Sequence, residues 1–216
     1  MDHQSRPGIR QKKDRRDRLI ALVAARPDWL LGFQDETWWS RLARPGLSSW
    51  SEDGRPLRLV EQAVARHDAD PKALACYGLW LPARSETWLR FVDGRPVSLL
   101  TTQFLGWCAD EATDLGMTTL VLVWDNAGWH LSHVVRDWLR QHNQTVIRSG
   151  TGTRLVPCFL PSRSPWLNPI EPKWGHAKRR IVEPDRLLGL AELEERVCDA
   201  FECLRHEHLV SPNLVA

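Results

Sequence analysis

The stretch "TTLVLVWD", Thr118 to Asp125, decides the fold. It is a short unbroken apolar run rich in β-branched residues. A run with no polar face predicts a strand covered on both sides. It ends on an acid. Ligand sites in open α/β sheets lie outside the carboxyl ends of strands. A bare acid there needs a base or a cation beside it, because an isolated buried charge is costly. The alternative is an Asx turn or a cap for the next helix, although Ser132 offers a better cap.

Working outward, "WLLGFQDETWW" (29–39) alternates, so Leu31, Phe33 and Asp35 share one strand face and Glu36 takes the other. "KALACYGLWL" (72–81) predicts a second strand. "WLRFVDGRPVSLL" (88–100) predicts a third, with Asp93-Gly94 a turn of the kind that closes hairpins. Ser98 is placed to cap a helix with Leu99, Thr102, Leu105, Ala109 and Ala112 on one face and Gly116 just past its end. After Asp125, "SHVVRDWLRQHN" predicts a helix, "TRLVPCFLP" (153–161) a strand, and Asn168 the start of a helix with Pro169 in its first position. The last segment is amphipathic, with Leu190, Leu193, Val197, Ala200 and Leu204 in one stripe. The pattern predicts one α/β domain over residues 29–216, a central mixed five-stranded sheet flanked by helices.

Composition narrows the classes. The 216 residues, 43% hydrophobic and 26% charged, suit one soluble core. No apolar run reaches membrane-spanning length. The net charge of +2 does not by itself announce a nucleic acid. The five cysteines have no C-x-x-C spacing and read as reduced, mostly buried thiols of a cytosolic protein. The 12 tryptophans read mainly as packing, although indoles also stack on nucleobases. Residues 1–28 read as a basic arm or linker, and "RPGIRQKKDRRDR" (6–18) is its charged part. The alternative is the exposed start of a helix through "RLIALVAA", and contact with phosphate is a further use.

Two more acids draw notice. Asp35 lies in phase with core residues. Glu171 lies in "LPSRSPWLNPIEPKW" (160–174). Asn168 to Glu171 approximates a capping box. That reading leaves unexplained the proline-rich approach, which fixes where the helix begins. Three acids on one mixed sheet suit Mg²⁺, which prefers oxygen ligands and shares substrate phosphates. Two such ions serve phosphodiester chemistry.

Asp35 in "QDET", Asp125 in "WDNAGWH" and Glu171 in "SPWLNPIEPKW" together resemble the DDE transposases of the mariner-like superfamily, nearest to bacterial insertion-sequence transposases of the six-thirty type. The resemblance covers residues 29–180. It implies a ribonuclease H-like fold, with Mg²⁺ or Mn²⁺, two ions in all, on Asp35, Asp125 and Glu171. It implies cleavage at transposon ends and attack of the freed 3′-hydroxyl on target DNA at TA dinucleotides. It also implies a homodimer on double-stranded DNA, in the bacterial cytoplasm with the nucleoid. Two departures stand out. The gap from Asp125 to Glu171 is longer than that superfamily usually has, and "NQTVIRSGTGTR" (143–154) reads as an inserted loop. Helix-turn-helix modules normally precede the catalytic domain, so a separate recognition domain or chain is expected.

Around the acids, Asn126, His130 and Asn168 are candidates to support them. Trp174 is placed to lock the Glu171 helix to the sheet. Lys173, Lys178, Arg179 and Arg180 are candidates to grip DNA phosphate. Three rival readings remain at this point. One is an inactive or truncated copy that only binds DNA or dimerises. Another is a hydrolase with metal on Asp125, Asn126 and His130. The third is a general nuclease of the same fold.

Overall fold

The computed structural model describes residues 7–42, 48–50, 53, 56–58, 67–161, 164–181 and 187–211. Helix α1 is Pro7–Ala24. Strand β1 is Trp29–Ser40, β2 Ser48–Trp50, β3 Pro56–Arg58, β4 Ala73–Leu81 and β5 Glu86–Asp93. Helix α2, Ser98–Asp114, leads to β6, Thr119–Trp124. Helix α3, His133–Ser149, leads to β7, Arg154–Phe159. Helices α4, Ile170–Ile181, and α5, Leu190–Phe201, precede β8, Leu209–Val210.

The main sheet runs β7-β6-β1-β4-β5-β8, and β2 pairs with β3 apart from it. The β1–β4 and β4–β5 pairs are antiparallel; β1–β6, β6–β7 and β5–β8 are parallel. This is the mixed sheet expected, with six strands rather than five. The added strand has two residues, too few to show any period.

Every residue of β6 is buried, as its unbroken apolar run predicts. Its alternate side chains serve different layers. Leu120, Leu122 and Trp124 pack with α2 and α3, where Leu105, Ala112, Val135 and Leu139 meet them. Val123 packs on the other face with Phe33, Cys158 and Leu160, backed by Leu19 and Ile20 of α1. Farther along that face, Trp39, Ile170, Trp174, Leu193 and Val197 join α4 and α5 to the sheet.

The basic segment expected as an arm is helix α1 over its described part; residues 1–6 lie outside the described residues. It helps cover the β6–β7 end, where Arg15 donates to the Pro157 carbonyl. The expected loop 143–154 is mostly helix. Residues 143–149 continue α3, which stops at Gly150 in the left-handed conformation (φ 69°). An amphipathic helix keeps a polar outer face, so polarity alone did not mark a loop. Ser98 does not cap α2: Val97 is the cap residue and offers no side-chain bond. Of the predicted face Leu99 is exposed, while Thr102, Leu105, Ala109 and Ala112 are buried, joined by Leu100, Phe104 and Cys108. Asp93-Gly94 leads into α2, and the β4–β5 hairpin turns at residues 82–85. Leu204 lies beyond α5 and is exposed, because Glu202 ends the helix in the left-handed conformation. Among the described residues no helix is long and apolar enough to cross a membrane.

Candidate active site

The parallel register pairs Phe33 of β1 with Val123 of β6. Asp35 and Asp125 each lie two residues beyond that last pair, Asp35 within β1 and Asp125 just past β6. On the other side of β1, Asp35 pairs with Gly78 of β4. Gly78 has no side chain, and the ring of Trp174 occupies the space. A Cβ at Gly78 would stand 2.3 and 2.7 Å from two carbons of that indole. The close approach lets the Trp174 Nε1–H donate to Asp35 Oδ2 at 2.9 Å. Trp174 is one turn past Glu171 on α4, so the predicted lock is present and one end of it is the first acid.

A second tie holds the start of that helix. Asn168 is buried, and its amide Nδ2 donates to the Gln34 carbonyl at 3.0 Å. Asn168 therefore serves β1 rather than a side-chain cap. The capping box that was the alternative reading is absent: among the described residues the Glu171 carboxylate makes no hydrogen bond, and only its backbone N–H reaches the Asn168 carbonyl. Glu171 is exposed at the first turn of α4.

The surroundings of Asp125 are held by other residues. Its Oδ1 accepts the Ala127 N–H at 2.9 Å, the Asx turn that was its alternative reading. The same oxygen accepts from His130 Nδ1 at 2.9 Å, while His130 Nε2 bonds Glu36 Oε1 at 2.9 Å. The imidazole is buried and stacks on Trp124, with centroids 4.5 Å apart. Asn126 donates to the Leu160 carbonyl at 2.7 Å and accepts from Lys12 Nζ of α1 at 2.9 Å. These bonds clamp the turn after β6 to the end of β7. Both His130 nitrogens are engaged and the ring is an imidazolium, while Asn126 Oδ1 already accepts from the Lys12 ammonium, which a metal would have to displace. That argues against a metal held by Asp125, Asn126 and His130.

Charge is concentrated here. Burial, then Glu171, then Glu36 push the Asp35 carboxyl up to about 7. Glu171 is also raised, by burial and by Asp125, with Lys178 opposing. Burial raises Asp125 too, but the His130 and Ala127 hydrogen bonds outweigh it and hold that carboxyl low. Burial pulls His130 down, yet Glu36 and Asp125 lift it to about 9, so it is an imidazolium at neutral pH. Asp125 Oδ2 has no hydrogen-bond partner among the described residues. Like charges gathered in a half-buried site favour a bound cation, and oxygen-only donors select a hard one. As they stand, no three His, Cys, Asp or Glu side chains among the described residues are close enough to enclose a metal ion. The three acids have the chemistry of a divalent site, with Glu171 coupled to each aspartate, but without a closed cage.

The four cations of α4 divide. Lys178 turns inward to Thr37 Oγ1 at 2.6 Å. Lys173 sits over the Trp80 ring, 3.4 Å from its centroid. Arg179 reaches His176 at 3.0 Å, and it and Arg180 are exposed. Sequence reasoning missed Glu36, Lys12 and Gly78. An isolated glycine inside "ACYGLWL" was the available signal, since such a glycine often marks a close approach.

Gly78→Ala is expected to lower stability by about 1–3 kcal/mol, because the indole must move or the strands must part. Gly175→Ala, on the exposed side of α4 with open space around it, is expected to gain about 0.5–1 kcal/mol. Urea unfolding of both variants measures the contrast.

Residues 31–193 match the sequence profile of the DDE superfamily endonucleases. No curated protein matches the chain. Among solved structures, the Mos1 transposase paired-end complex with left transposon end is similar at a TM-score of 0.62 and 16% identity, covering 94% of this chain and 56% of that one. The Mos1 mariner paired-end complex with Mn gives 0.59 and 16%, with 94% and 56% covered. The catalytic domain of Mos1 mariner transposase gives 0.56 and 15%, with 94% and 84% covered. The chain thus spans little more than half of the fuller Mos1 chains and most of the catalytic domain, and the likeness is one of fold.

Proposed function

Because the chain belongs to the DDE superfamily endonuclease family, we propose that it is the catalytic domain of a DNA transposase. It cuts DNA strands at transposon ends and joins the freed 3′-hydroxyl to target DNA. The reading rests on one observation: Glu171, in the first turn of α4, adds its field to that of Asp35 on β1 and feels that of Asp125 at the end of β6. The matched family region spans all three.

Asp35, Asp125 and Glu171 would hold divalent cations, two of them Mg²⁺ or Mn²⁺. When bound, these ions activate the attacking oxygen and stabilise the leaving one. The chain itself supplies position. Trp174 and Asn168 fix the Glu171 helix against β1. His130 fixes one oxygen of Asp125 and leaves Oδ2 for a cation. Arg179 and Arg180, exposed at the end of α4, would meet DNA phosphate. Lys178 acts instead as an internal cation beside Glu171 and Thr37. The Mos1 complexes carry paired transposon ends, which supports DNA as substrate and two protomers as the working unit. The domain reading, with residues 29–216 as the catalytic unit, belongs to this proposal, as does a bacterial, nucleoid-associated setting.

Nicking of supercoiled plasmid with Mg²⁺, Mn²⁺ or EDTA tests it. The wild-type chain is expected to nick only with metal, and Asp125→Asn and Glu171→Gln to be inactive. Nicking that survives Glu171→Gln would return that residue to a helix-start role and remove the three-acid mechanism.

A further inference from the structure

Most of the tryptophans are spent on packing, and Trp166 is not. Trp166 is 65% exposed, against 46% for Trp38. It makes no ring contact or hydrogen bond among the described residues. Yet its backbone is held firmly. Trp166 is the middle residue of a 3-10 turn, Pro165–Leu167. Buried Ser164 precedes the turn and buried Asn168 follows it. The Leu167 N–H closes on the Ser164 carbonyl at 3.1 Å, and the Leu167 side chain packs against the Phe33 and Cys158 cluster. Prolines at 165 and 169 restrict the backbone on either side.

The position of this turn gives the exposure meaning. It runs straight into Asn168, whose amide is bonded to the Gln34 carbonyl next to Asp35, and then into Glu171. An exposed flat apolar ring is therefore carried on the turn that leads, two residues on, into the Asn168 tie to β1 and, five residues on, into Glu171. A strand cut there leaves bases that have lost a paired or stacked neighbour. Aromatic rings take that place for any base, because every base has a π-face.

We propose that Trp166 is a stacking platform for an unpaired nucleobase beside the scissile phosphate; this rests on the DNA-cleaving reading above. The base comes either from the transposon-end flank or from the target duplex. Trp166 positions the strand and does not take part in bond breaking.

The test uses the full chain with Ca²⁺ in place of Mg²⁺ and three DNA probes. One is a forked duplex with 2-aminopurine as its first unpaired base. One carries 2-aminopurine in an internal mismatch. One is fully paired. Wild type is expected to quench an unpaired 2-aminopurine and to bind that probe about tenfold more tightly than the paired duplex. Trp166→Ala is expected to lose the quench and the preference while keeping its paired-duplex affinity and its melting temperature, and Trp166→Phe to retain most of both. An effect confined to the fork assigns the base to the transposon end, and one confined to the mismatch assigns it to the target. Quench and preference unchanged in Trp166→Ala would overturn the platform while leaving the acids' role intact. Failure of wild type to bind any of the three probes would overturn the platform together with the reading beneath it.

Discussion

Asp35→Asn is expected to reduce metal-dependent DNA cleavage by about 10³-fold while making the protein more stable. The two effects share one cause. Asp35 is largely buried, and the charges of Glu171 and, on the other face of the strand, Glu36 disfavour its carboxylate. Its one strong compensation is the Trp174 indole N–H at 2.9 Å. An asparagine keeps the shape and an oxygen for that indole and removes the charge. Relief of an uncompensated half-buried charge contributes on the order of 1–3 kcal/mol. A residue that destabilises its own fold is explained by what it binds. The wild-type melting temperature should therefore rise with added Mg²⁺, as for any ligand that binds only the folded state, and the rise should vanish in Asp35→Asn. Thermal melts of both proteins with Mg²⁺ and with EDTA measure this. Should Asp35→Asn melt lower than wild type in EDTA, the acid is structural.

His130→Ala carries the largest expected loss of stability, about 3–5 kcal/mol. The imidazolium is the shared partner of two carboxylates, Glu36 on β1 and Asp125 just past β6. Glu36, with a side chain only 9% exposed, would keep the indole N–H of Trp129 at 3.3 Å and the amide of Gln34 at 2.9 Å, but no charge partner. Asp125 would lose the bond that orients it. Cleavage should fall by a further factor of about 10–100, the usual cost of removing a group that orients a metal ligand. His130→Gln, which can still bond one carboxylate, should recover part of the stability. Chemical denaturation of the three proteins gives the order: wild type above Gln, Gln above Ala. Equal stability of His130→Ala and wild type would mean that the bridge carries no net energy.

The parts of this account legible in the sequence were those with a local cause. β6 declared itself by an apolar run that both faces of the sheet now bury. Asp35 and Glu36 were assigned to opposite faces by strand parity, and they do diverge: one meets Trp174 and the other meets His130. Ser132 caps α3 by accepting the Val135 N–H, as its type and place implied. What was not legible depends on register. Gly78 matters because β4 sets it opposite Asp35, and no local pattern in β4 says so. Asn168 looked like a cap from its spacing to Glu171, but its amide found a better-placed carbonyl in β1. Lys12 was read as part of a charged arm, because nothing near it in sequence reveals Asn126 as its partner. The extra length between Asp125 and Glu171 was read as a loop, yet much of it is helix α3.

The central claim is that Asp35, Asp125 and Glu171 hold divalent metal together. The most direct measurement is an anomalous difference map from a crystal grown with Mn²⁺. A peak bounded by Asp35 and Asp125 is expected, with the Glu171 carboxylate turned toward it. Mn²⁺ bound elsewhere, with Glu171 still pointing to solvent, would contradict it.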